Sequence, residues 1–263
     1  MNVATVRRLG PLSGILAAAM FGVGAALSAR GGYFPTAEEA HDFITNESPR
    51  VLAGTILGGF YGAFFLIWFT GTVAAALRKA EARTGDGESP TGALSTIALG
   101  GGIVAALGLT LSSAVLWVAA ARVDRPGGLT VGEAVVLYDA YTTIGATVIS
   151  IGLAAWIGAT GLASLETKMF PAWLGWTSIA FAVGLLSPVH YIFEGLAAAW
   201  IVAVSALLYR QQRASTASLA PVAPKGRIEA GRVSTASHPS ASRSSQVPAS
   251  PSRMRERRER SHP

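Results

Sequence analysis

Residues 93–121 read ALSTIALGGGIVAALGLTLSSAVLWVAAA, an apolar run without a single charged side chain. As a helix it would be about 40 Å long at 1.5 Å per residue, more than the roughly 30 Å of a bilayer's hydrocarbon core. A stretch of that length and polarity reads as a transmembrane helix, the one open structure that satisfies its own backbone in lipid. Five further stretches of the same kind lie at 9–29, 51–77, 138–165, 172–187 and 189–209. The expectation is an all-α polytopic membrane protein: a six-transmembrane-helix bundle over 1–213 and a polar tail over 214–263. The stretch at 172–187 is the shortest and is bounded by Pro171 and Pro188.

Composition agrees. The chain is 51% hydrophobic and 14% charged, against about 25% charged in soluble domains. Cysteine is absent, which removes disulfides, thiol catalysis and thiolate metal sites. Residues 1–213 hold 12 Lys and Arg against 12 Asp and Glu, so the formal charge of +6 belongs to the tail.

Orientation follows from the polar joints. Arg7, Arg8, Arg78, Lys79, Arg83, Lys168, Arg210 and Arg213 fall on one side, and Arg30, Arg50, Arg122 and Arg125 on the other. The richer side is cytoplasmic, which places both termini inside a plasma membrane. The opposite side carries Glu38, Glu39, Asp42, Glu47, Asp124 and Glu133. The first span also has the layout of a signal peptide, with Arg7-Arg8, an apolar run and small residues at Ala26, Ser28 and Ala29. Its Gly10, Gly14, Ala18, Gly22 and Ala26, four apart, instead mark a retained packing face.

Two capping boxes punctuate the outer joints. Thr36-Ala37-Glu38-Glu39 predicts a short helix through Ile44, with Ser48-Pro49 capping the second span. Thr130-Val131-Gly132-Glu133 starts a helix that would run about 50 Å to Leu165, so residues 131–137 are expected at the interface before the fourth span turns inward. Inside the spans, Gly54, Gly58 and Gly62 form one stripe of small residues, and Ala146, Ser150, Ala154 and Gly158 another. Such stripes let helix backbones approach where lipid supplies no hydrophobic drive. Gly100-Gly101-Gly102 belongs to the same class. Trp68, Trp156 and Trp200 lie near mid-bilayer depth.

Ionisable groups at membrane depth are costly and few: Asp139 heads the fourth span, and His190 and Glu194 share a face of the sixth. Thr143, Thr147 and Ser150 descend below Asp139, with Thr110 and Ser113 candidates to face them. One reading is an outward-facing polar pocket that binds a small ligand, relays protons or holds a metal. The other is an ion-pair ring, with Arg30, Arg50 and Arg122 neutralising Asp139 and Glu194. No Walker loop, nucleophile elbow, HExxH or dinucleotide fingerprint is present. No catalytic residue, resident metal or cofactor is therefore expected, and no span is clearly broken at mid-depth as many transporters require. The functional expectation is a non-enzymatic membrane protein with an interaction or structural role. The alternatives are a small-molecule or ion transporter, or a metal-dependent membrane hydrolase.

The tail is rich in Ser, Pro and Arg and ends Arg253-Met254-Arg255-Glu256-Arg257-Arg258-Glu259-Arg260. It is expected to be disordered, touching anionic lipid headgroups and no specific nucleic acid. The bilayer is the one partner the sequence names; it does not specify an oligomeric state.

Three short motifs remain: Arg50-Val51-Leu52-Ala53-Gly54, Leu137-Tyr138-Asp139 and Phe170-Pro171-Ala172-Trp173-Leu174-Gly175-Trp176. Through them the chain, over residues 10–210, resembles a family of uncharacterised six-helix bacterial membrane proteins filed as a domain of unknown function. The resemblance implies the six-helix topology and no activity. The Ala, Gly and Arg bias is similar to that of a high-GC actinobacterial proteome.

Overall fold

The computed structural model describes residues 3–28, 36–84 and 92–218. Every regular element among them is helical: α1 (Val3–Ser28), α2 (Ala37–Asn46), α3 (48–84), α4 (Ala93–Arg122), α5 (Val131–Thr167), α6 (Ala172–Leu185) and α7 (His190–Ser218). Five of them are long and apolar enough to cross a membrane, over Leu9–Ser28, Ser48–Arg83, Ala93–Arg122, Val131–Thr167 and His190–Ala214. The stretch expected at 172–187 supplies a shorter helix of 14 residues, about 21 Å at 1.5 Å per residue. Arg30 and residues 219–263, including the basic tail motif, lie outside the described residues. The last helix runs to Ser218, past the end expected for its span at 209.

Local signals act as the chemistry requires. Thr36 Oγ1 accepts from the Glu39 amide at 3.2 Å while Glu39 Oε2 accepts from the Thr36 amide at 2.8 Å. Thr130 and Glu133 repeat the arrangement at 3.3 and 3.0 Å. The second span differs from expectation: Glu47, without a side-chain cap bond, is the N-cap, and Ser48 and Pro49 already lie in the first turn. The helix of the fourth span is continuous from Val131 to Thr167 and includes a π turn, Gly145–Ile149. A second π turn, Thr55–Tyr61, interrupts α3.

In the bundle α3 packs on α1 and α4, α4 on α5, and α5 on α6, while α7 closes against α1 and α6. The tightest seams are backbone on backbone. A Cβ on Gly24 would fall on the Gly58 backbone, and one on Gly54 would meet Gly24 O at 2.9 Å. Across α4 and α5, a Cβ on Gly101 would stand 2.6 Å from Trp156 N, and one on Gly152 would fall on Ala105 N. Gly62, the third member of the α3 stripe, has looser surroundings, with Phe21 N at 3.7 Å. On α5, Ser150 and Ala154 are buried, Ala146 and Gly158 half-buried, and Gly158 faces Ala182 of α6. The α1 stripe is corrected at its far end, where Gly22 and Ala26 are exposed and Gly24 makes the contact. Steps of four residues gain about 40° each on a helix of 3.6 residues per turn, so a strict four-residue stripe winds off any fixed face.

α2 lays Phe43 and Ile44 over Val51, Leu116, Leu129 and Ala134, sealing one end of the bundle. His41 Nε2 lies 2.8 Å from Leu129 O and ties α2 to the loop before α5. At mid-bundle Trp156 is wholly buried, edge-on to Phe69 at 5.8 Å and to Trp200 at 5.4 Å. Trp68, its expected counterpart on α3, is 42% exposed and faces outward.

Candidate functional site

The sequence candidates separate into three places. Arg50 pairs with Glu47 at 2.7 Å and donates to Ala26 O at 3.0 Å. Arg122 pairs with Glu133 at 2.7 Å. Both arginines thus find carboxylates in the polar joints and leave Asp139 and Glu194 to other surroundings. Asp139, Thr143 and Thr147 are exposed, and the Thr147 hydroxyl returns to Thr143 O at 2.7 Å. That is the usual self-satisfaction of threonine in a helix. Thr110 does the same with Ala106 O at 2.9 Å, while Ser113 packs against Gly59.

Ser150 and Glu194 make the third place. Ser150 Oγ donates to Glu194 Oε1 at 2.6 Å, joining α5 to α7 across 44 positions of sequence. Among the described residues no Lys or Arg forms an ion pair with Glu194. The titratable groups near enough to act on it are Tyr141 of α5 and His190, one turn before it on α7. The polar line descending from Asp139 therefore does not run as one face. It divides at the π turn Gly145–Ile149, which takes more residues per turn than an α-helix and leaves Thr147 outside and Ser150 inside.

Glu194 stands in the wall of a pocket within the bundle, and it alone among the residues lining that pocket is ionisable. All five membrane-length helices contribute. The space arises where small residues meet and leave a gap: Ala17, Gly62, Ala105, Ala197 and Ala198. Phe21, Leu66, Leu109, Leu153 and Ile201 complete an otherwise apolar lining. The cavity itself is small, about 30 Å³, room for a water or two. Both π turns abut it: Gly62 follows the first directly and Ile149 ends the second.

Among the described residues no group of three or more His, Asp or Glu side chains is gathered as metal ligands would be. Asp139, exposed on α5, does not join His190 and Glu194 in such a group.

Several participants escaped sequence reasoning. Tyr141 and the apolar lining look like ordinary span residues, and only the fold brings them to Glu194. Glu81, buried at the far end of α3, accepts from the Ser95 amide at 3.1 Å and caps α4. Its signal was available, since an acidic residue near a span's end complements a helix N-terminus close by.

No protein-family profile, curated protein or solved structure matches the chain.

Proposed function

We propose that this is a non-enzymatic, six-crossing protein of a bacterial plasma membrane, with both termini cytoplasmic, and that its central pocket binds a small solute in the manner of a transporter or a transporter subunit. The sixth crossing is α6. Ser150 meets Glu194 and, six residues on in each helix, Trp156 meets Trp200. α5 and α7 therefore run in the same direction, so the chain between them must return. α6 makes that return: Leu165 of α5 packs on Gly175 near one end of α6, and Gly158 on Ala182 near the other. The Lys and Arg imbalance of the joints supports the orientation.

One observation carries the functional reading: a carboxyl with no Arg or Lys ion pair among the described residues, in the wall of a pocket built by all five membrane-length helices. An ionisable group at that depth is expensive and is a functional site by default. Packing alone would be served better by an apolar residue. A metal-dependent membrane hydrolase has less support, because among the described residues Asp139 is not gathered with His190 and Glu194.

The natural absence of cysteine permits a direct test. Ala198, half-buried in the pocket wall, is replaced by Cys and treated with a small methanethiosulfonate. Modification of Ala198→Cys, with none of Ser178→Cys in the sealed core, supports a solute-accessible pocket. An inert Ala198→Cys in folded protein rejects it.

A further inference from the structure

We propose that an anionic phospholipid seats its phosphate among Lys168, Arg210 and Arg213, where the loop between α5 and α6 meets α7, with its chains beside Trp173. This rests on reading α6 as a membrane crossing and is independent of the central pocket.

The fold brings these cations together. Lys168 caps the end of α5 and begins the loop that leads to α6. Gln211 Nε2 donates to Met169 O at 2.7 Å, so α7 lies against that loop. Arg210 and Arg213 stand on either side of Gln211 within one helical turn. Arg213 lies over the Tyr209 ring, 4.9 Å from its centroid, an attraction that steadies the guanidinium. Lys168, Arg210 and Arg213 are all exposed, and no ion pair among the described residues engages them. By contrast, Arg50 and Arg122 are each paired with a glutamate. With the exposed Glu166 set against the three cations, two positive charges remain.

The surroundings of the group point to lipid. α6 is about 21 Å long, roughly 9 Å short of a bilayer's hydrocarbon core. A short span thins the bilayer around it or is met by side chains reaching out from its ends. The two ends of α6 differ. At the first, beside the cations, Trp173 and Trp176 are 58% and 65% exposed, and tryptophan favours the level of the headgroups. Toward the second, Val183 and Leu186 face outward, and residues 169–209 contain no Lys or Arg. A phosphodiester drawn in at the first end therefore meets charged donors, and its chains meet the indoles. A zwitterionic headgroup would bring a further cation to the same place. A soluble anion would answer the charges and leave the two indoles without a partner.

The experiment reads quenching of tryptophan fluorescence by lipids with brominated chains. The full-length protein is reconstituted in phosphatidylcholine containing a minor share of brominated phosphatidylglycerol or brominated phosphatidylcholine. The quenching lost on Trp173→Phe, measured in each background, is the part that belongs to the site. That part is expected to favour phosphatidylglycerol by a factor on the order of ten, the worth of two net charges at a leaflet surface. The preference is expected to vanish in Lys168→Gln/Arg210→Gln. It is expected to persist in Arg78→Gln/Lys79→Gln, which removes the same charge from the end of α3. Equal quenching by the two lipids overturns the lipid and leaves the cations to a soluble anion. A preference kept in Lys168→Gln/Arg210→Gln, or lost equally in Arg78→Gln/Lys79→Gln, assigns it to basic charge at large and also overturns the site. Impermeant-maleimide labelling of Lys168→Cys and Pro188→Cys separates the two readings. Labelling from opposite sides without a lipid preference rejects the site alone, whereas labelling from one side removes the crossing and the site with it.

Discussion

The Ser150 hydroxyl donates a 2.6 Å hydrogen bond to the Glu194 carboxylate, and that bond links two helices whose backbones otherwise approach sparingly. α7 packs closely on α1 but reaches α5 through side chains, at Glu194 and at Trp200. The pocket occupies the resulting gap. Removing the donor should be felt both in stability and in how α7 is held.

Ser150→Ala is expected to lower stability by about 0.5–2 kcal/mol, the range of interhelical side-chain bonds in membrane proteins. Glu194→Gln retains an acceptor and should cost less than Glu194→Ala. Reversible unfolding in mixed micelles, with Ser150→Ala and Glu194→Ala combined, checks the coupling. The double variant should cost less than the sum of the singles, and strict additivity would place the interaction elsewhere.

Glycine substitutions should divide sharply by position. A methyl at Gly152 meets the Ala105 backbone, which cannot rotate away, so Gly152→Ala should cost about 1–3 kcal/mol by overpacking. Gly58→Leu should be more damaging still, because α1 lies against it at Gly24. Gly22 has nothing within 4 Å, and Gly22→Ala should leave Tm unchanged or raise it, alanine being the better helix former by about 1 kcal/mol. Thermal melting of the three variants side by side is sufficient.

At the opposite end of α3 from α2, the buried Glu81 carboxyl caps α4 through the Ser95 amide. Glu81→Ala should destabilise by about 0.5–2 kcal/mol, as losing a helix cap does. Hydrogen exchange should show the loss concentrated in the first turns of α4. Protection unchanged there would mean the cap contributes nothing.

His41 holds α2 to Leu129 O, and α2 covers the smaller apolar cluster at its end of the bundle. His41→Ala should speed exchange across residues 37–46 while leaving mid-bundle α4 and α5 protected. A uniform rise across the bundle would show that α2 is integral to folding and not a separable cover.

What the sequence made legible was local. Both capping boxes, the apolar runs and the stripe Gly54–Gly58 depend on residues a few positions apart, and each stands where its spacing puts it. Partner choice was not legible. Arg50 and Arg122 had carboxylates nearby in sequence, at Glu47 and Glu133, and those nearer partners prevailed over Asp139 and Glu194. The π turns left no sequence signature, yet one of them decides that Ser150 turns inward while Thr147 stays exposed. The pocket depends on five helices meeting at alanines and glycines, which in one dimension resemble any other small residues.

The most direct measurement asks whether α6 carries the chain back across the membrane between α5 and α7. Lys168 and Pro188 are exposed and flank α6, and single cysteines there can be labelled with an impermeant maleimide in intact cells. Pro188→Cys should label from outside, and Lys168→Cys only after permeabilisation. Labelling of both from the same side would mean that α6 does not cross, and the parallel placement of α5 and α7 around Glu194 would have to be abandoned.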